Sequence, residues 1–562
     1  MPHATIPSPG LQALILCGPG VSLNTFTSNP KDLPKALLPI ANRPMVWYPL
    51  EWCHRMGIGN ITLVTPHEAA PALEHALATH PALTSLPKPQ PDVVAPEELE
   101  QTTGTGELLR LKEVQKAITG DFVLLPCDLV SEMDGTRILQ QWMTLNPSTT
   151  SGRKSKKGGL SVFYPTQGLE GISSKKDETD FLATVELPKS AVPAPQGSLR
   201  SDIEEIVMSM PSDTLNDKLE EDKGHLRLRQ SLLSKYGKSK MRMKHRDAHI
   251  YIFPHWVKDF AARNEKFDSI SEDILGWWAK AGWQRGLPEK LGLDSILEDK
   301  RASDLETSGH LLDREAEVDP ASLSSTKPTH HPVQPLATFA SRVGTAAPLP
   351  NDTAMPPLLA YIQPTPSPTS PQPLIRRVDT SAQLAAISLY LARQPPDHAL
   401  AHEHKVHPTA SIGTQTRIAH EDSLVAENVT MGLRCNVKES VIGHNCEIGD
   451  HVRLTKCVLM DGVVVGDGVQ LTNCIVGRRA RFEGMKAVVE AGGSGEGEKP
   501  RAKRRQDDEE ERTRLTECEV APGYVVEWGY EGKGEKMMAF DTEGDLDDFE
   551  DEGGDEEEEE GH

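Results

Sequence analysis

Between residues 11 and 145, short apolar runs alternate with segments whose apolar positions recur at helical spacing. Leu14–Cys17 and Phe122–Pro126 are apolar at nearly every position, as expected of strands buried on both faces, and Asn60–Thr65 reads as a third strand with Ile61, Leu63 and Val64 as its apolar positions. Met45–Met56 and Gly106–Ile118 carry the helical period between them. Strands alternating with helices predict right-handed crossovers and a largely parallel sheet. Leu160–Tyr164 and His249–Phe253 add strands that make it a mixed α/β sheet. Trp277, Trp278 and Trp283, near the end of this region, read as packing residues rather than a ligand cage. Residues 1–300 are therefore expected to form one α/β domain. Two polar stretches, a Ser/Lys/Gly-rich one at 148–158 and a Pro/Ser/Asp/Glu-rich one at 189–222, read as loops inserted into it. Residues 301–374, dominated by Pro, Ser and Thr, read as an extended linker. Residues 375–405 read as a connection containing a helix over Ser381–Leu391, entered through Asp379 and Thr380 as caps.

From Val406 the period changes to aliphatic residues at every sixth position. The series runs Val425, Met431, Val437; Ile442, Ile448, Leu454; Leu459, Val465, Leu471; Val476, Phe482. Steps of six, six and five give a coil of 17 residues. Leu-Thr-x-Cys recurs at Leu454–Cys457, Leu471–Cys474 and Leu515–Cys518. The first two copies are 17 apart and the last two 44 apart, so 27 extra residues split a coil within 483–514. Three short strands per coil, each turning one aliphatic inward, predict a triangular parallel β-helix over 406–536, left-handed and built of hexapeptide repeats. Acyltransferases built on such helices use an edge histidine, which makes His444 and His451 candidates, although surface histidines on polar corners are usually inert. The basic run Arg501–Arg505 in the insertion reads as a solvated loop balanced by Asp507–Glu511.

Length and charge add bounds. At 562 residues the chain exceeds a single core. Its formal charge is −23, and residues 541–562 hold 14 acidic residues with no Lys or Arg. Bulk acidity disfavours nucleic acid, so no DNA partner is expected. The tail, 537–562, reads as solvated and disordered, or as an interaction tail for a basic partner. No apolar run is long enough to span a membrane and no signal-peptide pattern opens the chain. The eight cysteines are scattered without a Cys-x-x-Cys pair, which argues against zinc and fits a reducing cytosol, the expected location.

Candidate chemistry follows the first strand. Residues 18–23, Gly-Pro-Gly-Val-Ser-Leu, make a Gly-rich turn of the kind whose backbone N–H groups cradle phosphate. Pro34-Lys35-Ala36-Leu37-Leu38-Pro39 comes next. The whole resembles the signature of sugar-1-phosphate nucleotidyltransferases, Gly-Gly-x-Gly-Thr-Arg-Leu and then Pro-Lys-Pro-Leu-Leu-Pro-Val. Gly18 and Gly20 fit the glycines, and Pro19 between them removes a backbone donor. Leu23 stands where the family has the Arg that helps a Lys, here Lys35, to hold the triphosphate. Gly104–Arg110 resembles the family's Gly-Thr-Ala-x-x-Leu-Arg turn near the base. Asp128 ends a strand where the family's Asp binds magnesium. The family's second carboxylate, in a Trp-x-Asp-x-Gly-type segment, has no match between Asp273 and Asp304. The resemblance thus implies a nucleotidyltransferase-like (Rossmann-like) domain with a degenerate nucleotide pocket at Gly18, Gly20, Leu23, Lys35, Gly104 and Asp128. It implies no catalytic residue, no metal and no cofactor, with weak nucleotide binding left open.

Leu38–Leu50, with Asn42-Arg43-Pro44 and Trp47-Tyr48-Pro49-Leu50, narrows the resemblance, as do Cys127-Asp128-Leu129, Asp247–Phe253 and Ser269–Leu275. Together they are similar to the gamma-subunit branch of the eukaryotic translation initiation factor 2B family, over roughly residues 10–300 and 375–535. That resemblance implies a non-enzymatic subunit of the guanine nucleotide exchange factor for translation initiation factor 2, a GTPase. Its partners would be an epsilon-type catalytic subunit with an extra helical domain and the remaining exchange-factor subunits. The alternative is an active sugar-1-phosphate guanylyl- or adenylyltransferase, which would need another cation in place of Leu23.

Overall fold

The computed structural model describes residues 8–100, 102–146, 157–169, 171–173, 177–189, 193–195, 197–297, 355–367, 370–484 and 512–538. Gln12–Leu16, Ile61–Val64 and Phe122–Pro126 form the expected strands, parallel and adjacent, with Asp92–Val94 outermost. Gln12–Leu16 lies between two neighbours, which is why its apolar run does not alternate. Trp47–Arg55 is one helix. The helix expected over Gly106–Ile118 is two pieces, Thr105–Leu108 and Lys112–Ala117, because Leu111 takes extended backbone between them.

Past Phe122–Pro126 the sheet becomes mixed. Lys240–Phe253 pairs antiparallel with that strand, and Gly159–Pro165, Leu358–Ile362, Ile203–Pro211 and Asp180–Glu186 complete nine strands in that order. Two expectations are corrected here. The stretch 189–222 is not a loop: it contains the strand Ile203–Pro211 and the helix Ser212–Glu221. Its inward side chains, including Ile206, Val207, Met208 and Met210, are buried, and polar flanks hide them in the sequence. The linker reading of 301–374 fails at its end, where Leu358–Ile362 is a fully buried strand within the first domain's sheet. Pro356, Pro357 and Pro364 flank this strand without interrupting it, since proline is tolerated where no ladder donor is needed. The first domain therefore does not close at residue 300. Residues 298–354 and 147–156, the rest of that linker and most of the first expected loop, lie outside the described residues.

Ile375–Arg377 then pairs antiparallel with Leu129–Ser131, just beyond Asp128. Thr380 caps the helix Ser381–Arg393, its side chain accepting from Gln383 N at 3.2 Å. This helix sits between the α/β domain and the C-terminal region. Leu384, Ile387 and Leu391 share one core with Ile40 and Ala41 on one side and Leu424, Val441, Val458 and Met460 on the other.

From Ser411 to Met537 the chain winds into three parallel six-stranded sheets, the β-helix expected. All eleven residues of the predicted inward series are at most 4% exposed, so the sixth-position period does mark the core. Val437, Leu454, Leu471 and Leu515 stack in one ladder. The step from Leu471 to Leu515 keeps the register across the extra 27 residues. Residues 485–511 of the insertion and 539–562 of the tail lie outside the described residues. Among the described residues no helix is long and apolar enough to cross a membrane.

Candidate functional site

The Gly-rich turn lies where a phosphate loop is expected, at the end of the first strand. Gly20 has φ +83°, and a Cβ there would stand 3.0 Å from Thr27 Oγ1 and 3.1 Å from Lys35 Cβ, so the position favours glycine both by conformation and by space. Thr27 Oγ1 donates to Gly20 O at 2.9 Å and fixes the turn. Leu23 ends a single 3₁₀ turn and is buried in the domain core. It supplies packing where the resemblance would place a phosphate-binding cation.

Lys35 and Asp128 do come together. Lys35 Nζ donates to Asp128 Oδ2 at 2.7 Å, with both side chains nearly inaccessible. The unexpected member is Arg377, whose Nε stands 3.6 Å from Asp128 Oδ1. Arg377 arrives on the strand that pairs with Leu129–Ser131, and Val378 N donates to Asp128 O at 2.8 Å. Ser22 Oγ, in the Gly-rich turn, donates to Asp379 O. The chain around 375–379 therefore lies directly over the turn and the strand end.

The charges continue outward in alternation. Asp379 Oδ2 is 3.8 Å from Arg377 Nη2 and accepts from Arg246 Nη2 at 2.7 Å, and Arg246 Nη2 also donates to Glu178 Oε2 at 2.6 Å. Burial alone would push the Asp128 carboxyl up, but Lys35 and Arg377 beside it prevail and hold it far below the usual carboxylate range. Burial lowers Lys35, and Asp128 more than restores it, so its ammonium is kept charged. His249 Nε2 lies 3.2 Å from Arg377 Nη1, and burial together with that guanidinium keeps the ring neutral. A cleft of about 250 Å³ opens beside this lattice, lined by Glu178, Asp180, Ser212, Arg246, His249 and Arg377 among others.

This arrangement does not suit magnesium. A hard divalent cation needs free carboxylate oxygens; Asp128 Oδ2 already accepts from Lys35, and Oδ1, without a hydrogen bond of its own, faces the Arg377 guanidinium at 3.6 Å. The closest further acid on the adjoining strand, Asp247, uses Oδ1 for His249 N at 2.9 Å and Oδ2 for Tyr251 OH at 2.6 Å. No cluster of three His, Cys, Asp or Glu suited to a metal occurs among the described residues.

Gly104 belongs to a different contact. A Cβ there would overlap Asp268, 2.0 Å from Oδ1 and 2.3 Å from the carbonyl oxygen. Gly106 N donates to Asp268 O at 2.7 Å. The turn expected near a nucleotide base is thus packed against this chain's own backbone. Gly18 makes no such close approach. His444 and His451 fall on different corners of one coil, before and after the strand Glu447–Ile448, and do not form a joint site.

The motif Asn42-Arg43-Pro44 marks a joint rather than a pocket. Ala41 and Asn42 have positive φ, which aims Asn42 Nδ2 at Ile442 O of the β-helix, 2.9 Å away. Arg43 donates to Leu400 O and Ala401 O at 2.8 and 2.9 Å and lies over the Trp47 ring at 4.2 Å. His402 Nε2 donates to Ala41 O at 2.5 Å, and burial with Arg43 close by lowers its pKa to about 3. Nothing in the local pattern identifies Arg377 or His402, because both act on segments more than two hundred residues upstream. An arginine pair following a Pro-rich stretch was the one available signal.

A family model described as the GMPPB C-terminal domain matches residues 419–497, of which 419–484 are described and lie in the β-helix. The translation initiation factor eIF2B subunit gamma of Schizosaccharomyces pombe is 28% identical over 291 residues, 51% of this chain and 55% of that protein. The epsilon subunit of the same factor and organism is 29% identical over 136 residues, 24% of this chain and 19% of its own length. The chain spans about half the length of the first relative and a fifth of the second.

Proposed function

We propose that this chain is a gamma-type subunit of the guanine nucleotide exchange factor for translation initiation factor 2. In this reading it breaks no bond and works with an epsilon-type catalytic subunit and the other subunits of that factor. Similarity to an eIF2B gamma subunit across half the chain supports the assignment. The observation that carries the non-enzymatic part is the Lys35–Asp128–Arg377 cluster. Catalysis of nucleotidyl transfer rests on cations that neutralise the reacting phosphates. Here Leu23 offers none, and Lys35 is engaged by Asp128.

An exchange factor acts by binding its GTPase more tightly without nucleotide than with it, a coupling between two binding events. The gamma-type chain would add affinity and hold the epsilon-type subunit in position. Its site of action would be the cytosol, and no nucleotide cofactor would be needed.

Two measurements test the proposal. Purified chain incubated with sugar-1-phosphate, GTP or ATP and magnesium should release no pyrophosphate, whereas turnover near ~1 s⁻¹, an ordinary enzyme rate, would overturn it. Affinity purification from cytosol should recover a larger homologous subunit, identified by mass spectrometry, and adding this chain to that subunit should speed GDP release. A stable homo-oligomer with no effect on release would refute the assignment.

A further inference from the structure

One face of the β-helix packs on the α/β domain, and a second carries a regular polar array. In that second sheet Arg417, Asn436, Arg453, Gln470, Arg514 and Glu531 occupy one outward row, in register from coil to coil. Lys438 and Lys533 stand in the row beside it, separated by Thr455, Thr472 and Thr516. Arg417, Lys438, Arg453, Arg514 and Lys533 are all exposed. Arg514 pairs with Glu531 at 3.4 Å. For Arg417, Lys438, Arg453 and Lys533 no carboxylate partner occurs among the described residues. A strip of cations on a chain of net charge −23 goes against the sign of the whole.

We propose that this face is the docking surface of the chain's own acidic segment, residues 541–560. Three observations support that occupant. The segment has 14 acidic residues and no Lys or Arg, so its charge is complementary to the strip. It begins four residues beyond Met537, which ends the last coil. Reach is ample: adjacent coils lie about 4.8 Å apart, so the strip from Lys533 to Arg417 is about 24 Å long. A 20-residue extended segment covers up to about 70 Å.

Tethering makes weak attraction sufficient. A short linker gives an effective concentration in the millimolar range, so a contact with Kd of about 1 mM is already half formed. The attraction is between exposed charges and is screened within about 10 Å at 0.1 M salt.

Zero-length carbodiimide cross-linking of the full chain tests this, because it joins only amines and carboxylates in contact. Lys438, about 19 Å along the strip from Lys533, is the informative amine. At low salt it should link to residues 541–560 of the same molecule, as shown by mixing light and heavy isotope-labelled copies. The yield should fall at least tenfold in 0.5 M salt and in Arg417→Glu/Arg453→Glu. In a second measurement, removing residues 539–562 should raise acetylation of Lys438 severalfold while leaving Lys31, in the α/β domain, unchanged. Links to Lys499 or Lys503 in place of Lys438, links only between copies, links indifferent to the charge reversal, or unchanged acetylation would each overturn the proposal.

Discussion

The β-helix and the nine-stranded sheet bury parallel strands by opposite routes. In the β-helix each strand pairs with the one 17 residues further on, apart from steps of 19 in the first coil and 44 across the insertion. In the sheet, Leu358 pairs with Gly159, 199 positions away. A local ladder must repeat its own pattern, because each coil sees only its neighbours. A sheet assembled from distant segments is free to bring in a residue from anywhere. The site at Asp128 shows what that freedom does: a strand from beyond residue 374 delivers Arg377 to a carboxylate that the early motifs present. Charge is divided in the same way. The α/β domain buries ionised groups, whereas the core cluster of the β-helix consists of apolar side chains and cysteines, with no charged residue among them.

The strongest way to break this comparison is at the buried charges. Asp128→Ala leaves Lys35 and Arg377 buried together without their shared partner. Removing one member of such a cluster costs about 3–5 kcal/mol. The denaturant midpoint of the α/β domain should fall accordingly, followed by tryptophan fluorescence, since only Trp528 of the eight tryptophans lies in the β-helix. Unchanged or higher stability would mean that the cluster is a vacated binding site rather than part of the fold.

The β-helix should respond by a smaller and more local amount. Leu454→Ala removes a fully buried side chain in a middle coil and should cost about 3 kcal/mol. Amide exchange should quicken at Val437 and Leu471, its ladder neighbours, and hardly change in the nine-stranded sheet. Equal quickening in both regions would show that they unfold as one unit.

Legibility in the sequence follows the same division. The sixth-position series and Leu-Thr-x-Cys give the coil length, the register and the size of the insertion, because neighbouring coils supply each other's context. In the α/β domain the strands at Gln12–Leu16 and Phe122–Pro126 are apparent from their apolar runs. Leu358–Ile362 is concealed because five apolar residues lie among prolines in a stretch whose composition reads as linker. Ile203–Pro211 is concealed by two glutamates, one of which, Glu204, is buried and held by Arg242 and Lys240. At the site, Lys35 and Asp128 can be placed together from the motif. The approach of Arg377 to Asp128 cannot, since it depends on which distant strand pairs with Leu129–Ser131.

Stability against pH should separate the two regions further. Burial, then the nearby Asp180, raises Asp247 to about 7. A carboxyl whose folded pKa exceeds its unfolded value of about 3.9 stabilises the fold fully below that value. The contribution is then lost as pH rises towards 7. Its slope is at most about 1.4 kcal/mol per pH unit. Asp128 has the opposite sign: its depressed pKa stabilises the fold above about 3.9 and loses that effect only as pH falls below it. Between pH 4 and 7 Asp247→Asn should therefore flatten the decline in stability of the α/β domain, read from urea midpoints at several pH values. An unchanged slope would place the titrating group elsewhere.

The smallest expected effect lies at the joint between the regions. Thr380 accepts from Gln383 N and starts the helix Ser381–Arg393, whose buried face touches both cores. Thr380→Ala removes one cap and should cost about 1 kcal/mol. How that loss is distributed matters more than its size. If the helix belongs to the α/β domain, the tryptophan-reported transition moves alone. If it couples the two, exchange also quickens at Val441 and Val458, the β-helix residues beneath it. Asn42 Nδ2 on Ile442 O and Arg43 on Leu400 O and Ala401 O hold the same joint by polar contacts. Three such contacts remain in the variant, so coupling should persist while the helix start frays. Loss of coupling from this one change would mean that the cap, and not the surrounding core, ties the local ladder to the distant one.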